Sequence, residues 1–389
     1  MFCARRKKVE RKFNFKITAR DKKTQARIGI IYTAHGKIKT PAFVPVGTQA
    51  SVKSLDNRDL AEIGSQLFFA NTYHLYLRPG IEAIKRLGGL HSFTGWTKPL
   101  ISDSAGFQVF SLNKKENTSL VKIKEDGVSF RSHLDGSSHF FTPEKSIKVQ
   151  IILGADIMIA FDECTFYPAS HEYSLLAMER THRWAVRSLK EAEKRHDVQA
   201  LYGVVQGGVY KDLRQNSAEY INGLPFEGTA IGGVSVGESK KEMVKVLDWT
   251  IPKLSPEKPR HLLGVGEISD IFELVQRGID SFDCVMPTRL GRMGFCLTKI
   301  KKDGEFLIDL NKSAFAFDEK PIEKDCKCFV CKSYCRAYLH HLFRTRELLA
   351  YRLASYHNLW FIERLVDNIR EAIDRGEFLN LKKQWLGNL

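Results

Sequence analysis

From about residue 66 onward the chain repeats one pattern: a short apolar run closing on small or polar residues, then a stretch of helical spacing. The runs are Gln66-Leu-Phe-Phe-Ala-Asn-Thr, Pro99-Leu-Ile-Ser-Asp-Ser-Ala-Gly, Asp156-Ile-Met-Ile-Ala-Phe-Asp-Glu-Cys, Leu201-Tyr-Gly-Val-Val-Gln-Gly-Gly, Gly228-Thr-Ala-Ile-Gly-Gly-Val, Arg260-His-Leu-Leu-Gly-Val-Gly and Ser281-Phe-Asp-Cys-Val. Helical spacing fills 174–194, 210–222, 239–254 and 268–277. Runs that are apolar on both faces and alternate with helices indicate a parallel β/α architecture. Seven such units followed by a helical tail predict a closed α/β (β/α)8 TIM barrel rather than an open sheet. The stretch 13–46 instead alternates apolar and polar in short runs, which predicts antiparallel strands placed as a lid on one end of the barrel. The chain thus divides into a charged lead-in (1–12), N-terminal strands (13–46), the barrel body (47–295) and a C-terminal subdomain (296–389) whose helices complete the barrel. Pro287 and Gly291 predict a shaped loop, not a regular helix, after Cys284.

Charge adds a partner. The 389 residues carry a formal net charge of +15, an excess that points to a polyanion, with nucleic acid ahead of an acidic membrane. No run approaches the roughly 18–20 apolar residues of a membrane span. The start, Met1-Phe-Cys-Ala-Arg-Arg-Lys-Lys, lacks the apolar core of a secretory signal. Four of the eight cysteines fall between Cys326 and Cys335, which reads as a metal site in a reducing compartment and predicts a cytoplasmic protein.

Active sites of such barrels gather at the C-terminal ends of the strands. The groups closing the proposed strands are Asp103, Asp162, Gln206, the Gly232-Gly233 backbone and Asp283. Taken singly each reads equally well as a cap or turn residue. Five in phase are better explained as one mouth, suited to a heterocycle rich in donors and acceptors with acid/base or nucleophilic chemistry beside it. Catalytic metal binding by the three carboxylates is the alternative. Arg289 and Arg292, beyond Asp283, suit a phosphate or carboxylate partner.

The second constellation is Cys326-Lys-Cys-Phe-Val-Cys331 with His357. Cys326, Cys328, Cys331 and His357 make a closed tetrahedral set of the structural zinc kind, although Cys335, His340 and His341 compete for the fourth place. Lysines and arginines crowd this end of the chain, from Lys299 to Arg346, as a path for a phosphate backbone or as an ordinary solvated surface.

Together these residues resemble the tRNA-guanine transglycosylase family in its bacterial single-subunit form, from about residue 13 to 378. The motifs are Asp103-Ser-Ala-Gly-Phe-Gln-Val-Phe-Ser-Leu112, Phe161-Asp-Glu-Cys164, Val205-Gln-Gly-Gly208, Gly232-Gly-Val-Ser-Val-Gly-Glu238, Phe282-Asp-Cys-Val-Met-Pro-Thr-Arg289 and the Cys-x-Cys-x2-Cys…His pattern. The resemblance implies exchange of guanine at the wobble position of GUN-anticodon tRNAs through a covalent tRNA–enzyme intermediate. It implies Asp283 as nucleophile and Asp103 as general acid/base. Asp162, Gln206, Gly233, Val234, Ser104 and Cys164 would line the base site, Phe107 would stack on the base, and Arg289 and Arg292 would hold neighbouring nucleotides. It further implies one structural Zn2+ per subunit and a homodimer, with Trp96, Tyr334, Tyr338 and His341 where bacterial members place an interfacial aromatic cluster; ordinary core packing is the other reading of these four. Val236 resembles the bacterial pattern that goes with 7-aminomethyl-7-deazaguanine as incoming base, queuine being the alternative. A non-catalytic tRNA-binding subunit is a further reading, one that would need neither Asp103 nor Asp283. Three positions depart from the family: Ala105 replaces a usual glycine, Phe107 a tyrosine of some members, and Glu267 a frequent lysine. If position 105 needs a positive φ, alanine carries a cost there.

Overall fold

The computed structural model describes residues 13–111, 121–195, 198–302 and 305–387, so the lead-in 1–12 lies outside the described residues. Three antiparallel strands come first: β1 (Asn14–Arg20), β2 (Arg27–Thr33) and β3 (Gly36–Thr40). The barrel follows as β4 (Ala42–Gly47), β5 (Phe68–Ala70) and β6 (Leu100–Ser102). After an inserted sheet of β7 (Val121–Lys124), β8 (Gly127–Arg131) and β9 (Ser138–Phe141), it resumes as β10 (Ile157–Ile159), β11 (Ala200–Val205), β12 (Gly228–Ile231), β13 (Arg260–Leu262) and β14 (Ser281–Cys284). The parallel sheet closes where β14 pairs with β4, Asp283 lying opposite Val44. The seven apolar runs are therefore seven of eight barrel strands. The eighth, Ala42–Gly47, lies mostly inside the stretch read as N-terminal strands; all its residues are buried, as a strand covered on both faces requires.

The small sheet β1–β3 closes the N-terminal end of the barrel. Its Ile31 and Ile38 join Val44, Phe69, Ile157 and Tyr202 in one buried cluster. A bidentate ion pair reinforces this seal: Arg27 donates from Nε to Asp280 Oδ1 (2.9 Å) and from NH2 to Oδ2 (2.5 Å), both side chains being buried. Asp156 anchors the β2–β3 turn by accepting from the His35 backbone N–H (3.1 Å) and pairing with its Nδ1 (2.9 Å). The donor atoms of His35, His91 and Asp156 lie close enough together to suggest a metal centre. The two rings are stacked face to face, however, with centroids 3.5 Å apart and planes 16° from parallel. An ion cannot lie in the planes of two rings so arranged, so the trio is a hairpin anchor.

At the other end of the chain, β15 (Phe295–Lys302) and β16 (Glu305–Asp309) form a hairpin, followed by helices Phe329–Ser333, Arg336–Arg344, Leu348–Asp374 and Phe378–Leu386. The long helix Leu348–Asp374 lies against β4 and against helix Met286–Arg292. That second helix corrects the loop expected after Cys284. Pro287 sits in its first turn, where a missing N–H costs nothing. Gly291 lets the two helices touch: a Cβ there would come within 2.6 Å of the Ser355 backbone nitrogen. Asn358 completes the junction by accepting from Leu297 N–H (2.8 Å) and donating to the Pro287 and Phe295 carbonyls (3.0 and 2.9 Å). No helix among the described residues is long and apolar enough to cross a membrane.

Candidate active site

A cavity of about 640 Å³ opens at the C-terminal ends of the barrel strands. All the strand-end groups named from the sequence line it: Asp103, Asp162, Gln206, Gly232, Gly233 and Asp283. Ser104, Phe107, Cys164, Val234 and Arg289 line it too. Phe107 stands half-exposed at the rim. Arg292 is not among the lining residues; its guanidinium donates to the Thr288 carbonyl at 2.8 Å.

Two of the carboxyl groups share one electrostatic situation. Asp103, just past β6, accepts from Asn71 Nδ2 (2.5 Å, to Oδ2) and from the backbone N–H groups of Thr72 (2.6 Å) and Ala105 (3.3 Å), both to Oδ1. Asp162 accepts from Ser104 Oγ (3.1 Å) and Gln206 Nε2 (2.7 Å). Burial outweighs these donors and pushes each carboxyl up to about 6. Both groups can therefore exchange a proton near neutral pH. The strain foreseen at Ala105 is present: its φ is 71°, a region that disfavours a side chain.

Glycines shape the wall that faces them. Gly233 has φ +64°, and a Cβ there would lie 2.3 Å from Gln206 Oε1; one on Gly232 would lie 2.7 Å from Gln206 Nε2. Buried Arg214 holds the same backbone, donating to the carbonyls of Val205 (3.1 Å), Gly232 (2.8 Å) and Gly233 (3.0 Å). We expect Gly233→Ala to displace Gln206 and raise the KM for a base ligand by about 10-fold or more, while the fold survives. Steady-state kinetics beside a thermal melt checks this.

Asp283 differs from the other two carboxylates. Its Oδ1 receives the Gly264 backbone N–H (3.1 Å) and His261 Nε2 (3.1 Å), and among the described residues Oδ2 has no partner. Neighbouring Cys284 is a poor nucleophile, because burial pushes its thiol up to about 12, so the reactive thiolate is scarce at neutral pH. Cys164 is likewise held neutral by burial, at about 12. The three carboxylates do not bring their oxygens together as a metal cage among the described residues; those of Asp103 and Asp162 are occupied by protein donors. At the rim, Glu267 takes Lys240 Nζ at 2.6 Å, so a cation reaches this position from a neighbouring helix.

A second cluster lies on the C-terminal subdomain. The sulfurs of Cys326, Cys328 and Cys331 lie 3.9, 3.6 and 3.3 Å from His357 Nδ1. His357 Nε2 is 2.8 Å from the Leu297 carbonyl, which requires the proton on Nε2 and leaves Nδ1 as a lone-pair donor toward the thiols. Three sulfurs and one such nitrogen fit a tetrahedral ion. Of the competitors, Cys335 caps helix Arg336–Arg344 by accepting from Tyr338 N–H (3.5 Å), and His340 Nδ1 meets the Leu310 carbonyl (2.7 Å).

With this geometry in hand, comparison with known proteins decides the family. The family model described as queuine tRNA-ribosyltransferase matches residues 21–389. The chain belongs to the queuine tRNA-ribosyltransferase family. Among its relatives, the protein of that name from Pelotomaculum thermopropionicum is 50% identical over 373 residues, covering 96% of this chain and 98% of the relative. The one from Caldanaerobacter subterraneus is 50% identical, covering 96% of each chain. The one from Fusobacterium nucleatum is 49% identical, covering 94% of this chain and 96% of its own. This is a family of pentosyltransferases, also called tRNA-guanine transglycosylases. Sequence reasoning missed Asn71, Arg214 and His261. Asn71 does close the Gln66–Thr72 run, a signal that could have found it; Arg214 lies within a helix, and His261 stands within its strand, Arg260–Leu262, rather than at the strand end.

Of the four aromatic residues assigned to an interface, Trp96 is buried against Phe68 (5.4 Å) and donates to the Pro99 carbonyl. That is core packing. Tyr334 and Tyr338 stack at 5.5 Å, with Tyr338 exposed.

Proposed function

We propose that this protein exchanges guanine at the wobble position of GUN-anticodon tRNAs for 7-aminomethyl-7-deazaguanine, by two displacements at one anomeric carbon. The observation that carries the reading is that a carboxylate with one free oxygen, Asp283, shares a cavity with a carboxyl group poised at about 6, Asp103. In the first displacement an Asp283 oxygen bonds to C1′ as the C1′–N9 bond breaks, and Asp103 gives its proton to the departing guanine. In the second, Asp103 takes the N9 proton of the incoming base, N9 bonds to C1′, and the Asp283 ester bond breaks. Asp162, Gln206 and the Gly233–Val234 backbone read the purine edge. Ser104 holds Asp162, Cys164 packs beside the base as a neutral thiol, and Phe107 stacks from the rim. Arg289, with Arg292 behind it, meets the neighbouring phosphates. An anticodon-loop base can be splayed into such a pocket more cheaply than a duplex base. Val236 lines the cavity and takes up room that the larger queuine would need.

Cys326, Cys328, Cys331 and His357 would hold one Zn2+, which serves to cross-link the subdomain. The protein acts as a cytoplasmic homodimer, with the exposed Tyr338 beside Tyr334 on the shared face.

The two steps need Asp103 in opposite protonation states. Guanine release uses the protonated acid, so its rate falls as pH rises through about 6, where the burial-shifted group ionises. Capture of the incoming base uses the carboxylate and rises over the same range. Single-turnover pH profiles of the two half-reactions check this, and Asp103→Asn removes both bends.

The reading as a whole is tested by labelled-guanine exchange into an unmodified GUN-anticodon tRNA, with the site of incorporation mapped by nuclease digestion. Label at the wobble position, competed out more strongly by 7-aminomethyl-7-deazaguanine than by queuine, is expected. Absence of exchange by folded protein overturns the reading; stronger competition by queuine overturns the choice of base.

A further inference from the structure

The proton that His261 carries has a use that the exchange chemistry alone does not assign. His261 lies on β13, directly opposite Ser281 of β14 in the barrel register, and is fully buried. Its Nδ1 is 2.9 Å from Ser281 Oγ and its Nε2 is 3.1 Å from Asp283 Oδ1. The ring also lies nearly parallel to Phe69, at 5.9 Å and 20°. A carboxylate can only accept, so Nε2 carries the hydrogen; in the neutral ring Nδ1 then accepts from the Ser281 hydroxyl. Three groups on two adjacent strands thus form a chain, Ser281 to His261 to Asp283. With the Gly264 N–H at 3.1 Å, it places two donors on Oδ1. A carboxylate rotates easily about its last bond, and two donors on one oxygen hold that rotation.

Resting on the transferase reading above, we infer that His261 is a positioning residue for the nucleophile: its Nε2–H, oriented by Ser281, pins Asp283 Oδ1 so that Oδ2 faces the anomeric carbon. His261 does not touch substrate and transfers no proton in the cycle. Its effect lies in the fraction of time Asp283 spends aligned for attack, a geometric demand to which rates respond steeply.

The test compares three variants in the full-length, metal-loaded protein. His261→Phe keeps a ring against Phe69 and removes both hydrogen bonds. It is expected to slow covalent-intermediate formation by about 10- to 100-fold, with the Kd for tRNA unchanged within about twofold, since uniform binding is untouched. His261→Gln restores an N–H donor and is expected to recover to within about threefold of wild type, about the worth of one neutral hydrogen bond. Should the phenylalanine variant not fold, His261→Met supplies the same contrast. Ser281→Ala removes the orienting partner alone and is expected to give a smaller loss in the same rate. Wild-type rates in the donor-less variant, or a glutamine variant as slow as it, overturn the inference. A wild type that exchanges no guanine at all instead overturns the transferase reading, so the two failures are distinguishable.

Discussion

Asp283→Asn is expected to lower base exchange by about 10³-fold or more, with folding and tRNA binding intact. The substitution is nearly isosteric, and an amide oxygen can still accept from His261 and the Gly264 N–H, now at 3.1 Å each. The unpartnered Oδ2 position becomes an NH2 group, which cannot attack carbon. No neighbour can replace it: Cys284 is a neutral thiol held at about 12 by burial, and both oxygens of Asp103 are tied to Asn71, Thr72 and Ala105. Single-turnover kinetics on tRNA, with binding measured separately, checks the split between chemistry and affinity.

Loss of the metal proposed for Cys326, Cys328, Cys331 and His357 is expected to have the second largest effect, on stability before catalysis. Structural zinc sites in isolated fingers bind with roughly 10–16 kcal/mol of apparent free energy, comparable to the whole stability of a domain. Cys331→Ala is therefore expected to abolish metal binding and lower the melting temperature by about 10 °C or more. Cys335→Ala is expected to keep one metal per chain, because that sulfur caps a helix instead. The effect is expected to reach the active site through the long helix Leu348–Asp374, which packs on helix Met286–Arg292. His357 lies next to Asn358, which donates to the Pro287 carbonyl in the first turn of the helix after β14. Metal analysis and calorimetry on the two variants check both statements.

Much of this was legible in the sequence, and the exceptions have physical causes. Seven barrel strands announced themselves because burial on both faces demands unbroken apolar runs. Ala42–Gly47 carries the same kind of run, but it abuts the alternating strands before it and was absorbed into them. The inserted sheet β7–β9 had a signal of its own: Val121-Lys-Ile-Lys alternates ahead of Glu125-Asp-Gly, a hairpin turn. The helix after Cys284 was hidden because Pro287 and Gly291 were weighed as breakers, whereas their positions in the first and last turns suit a helix packed closely on another. Asp103, Asp162, Gln206 and Asp283 could be found because strand ends converge. Arg214, from the helix after β11, and His261, aligned on Ser281 by the pairing of β13 with β14, depend on contacts between elements that no local pattern encodes.

Covalent bonding of Asp283 to the tRNA can be checked by trapping the adduct. Protein is incubated with unmodified GUN-anticodon tRNA, quenched in denaturant, and the linked residue is identified by mass spectrometry after nuclease and protease digestion. A denaturant-stable adduct on Asp283 is expected, one that disappears when excess guanine is added and does not form with Asp283→Asn. An adduct on another residue, or full exchange by the Asp283→Asn protein, would contradict the proposed bond to Asp283.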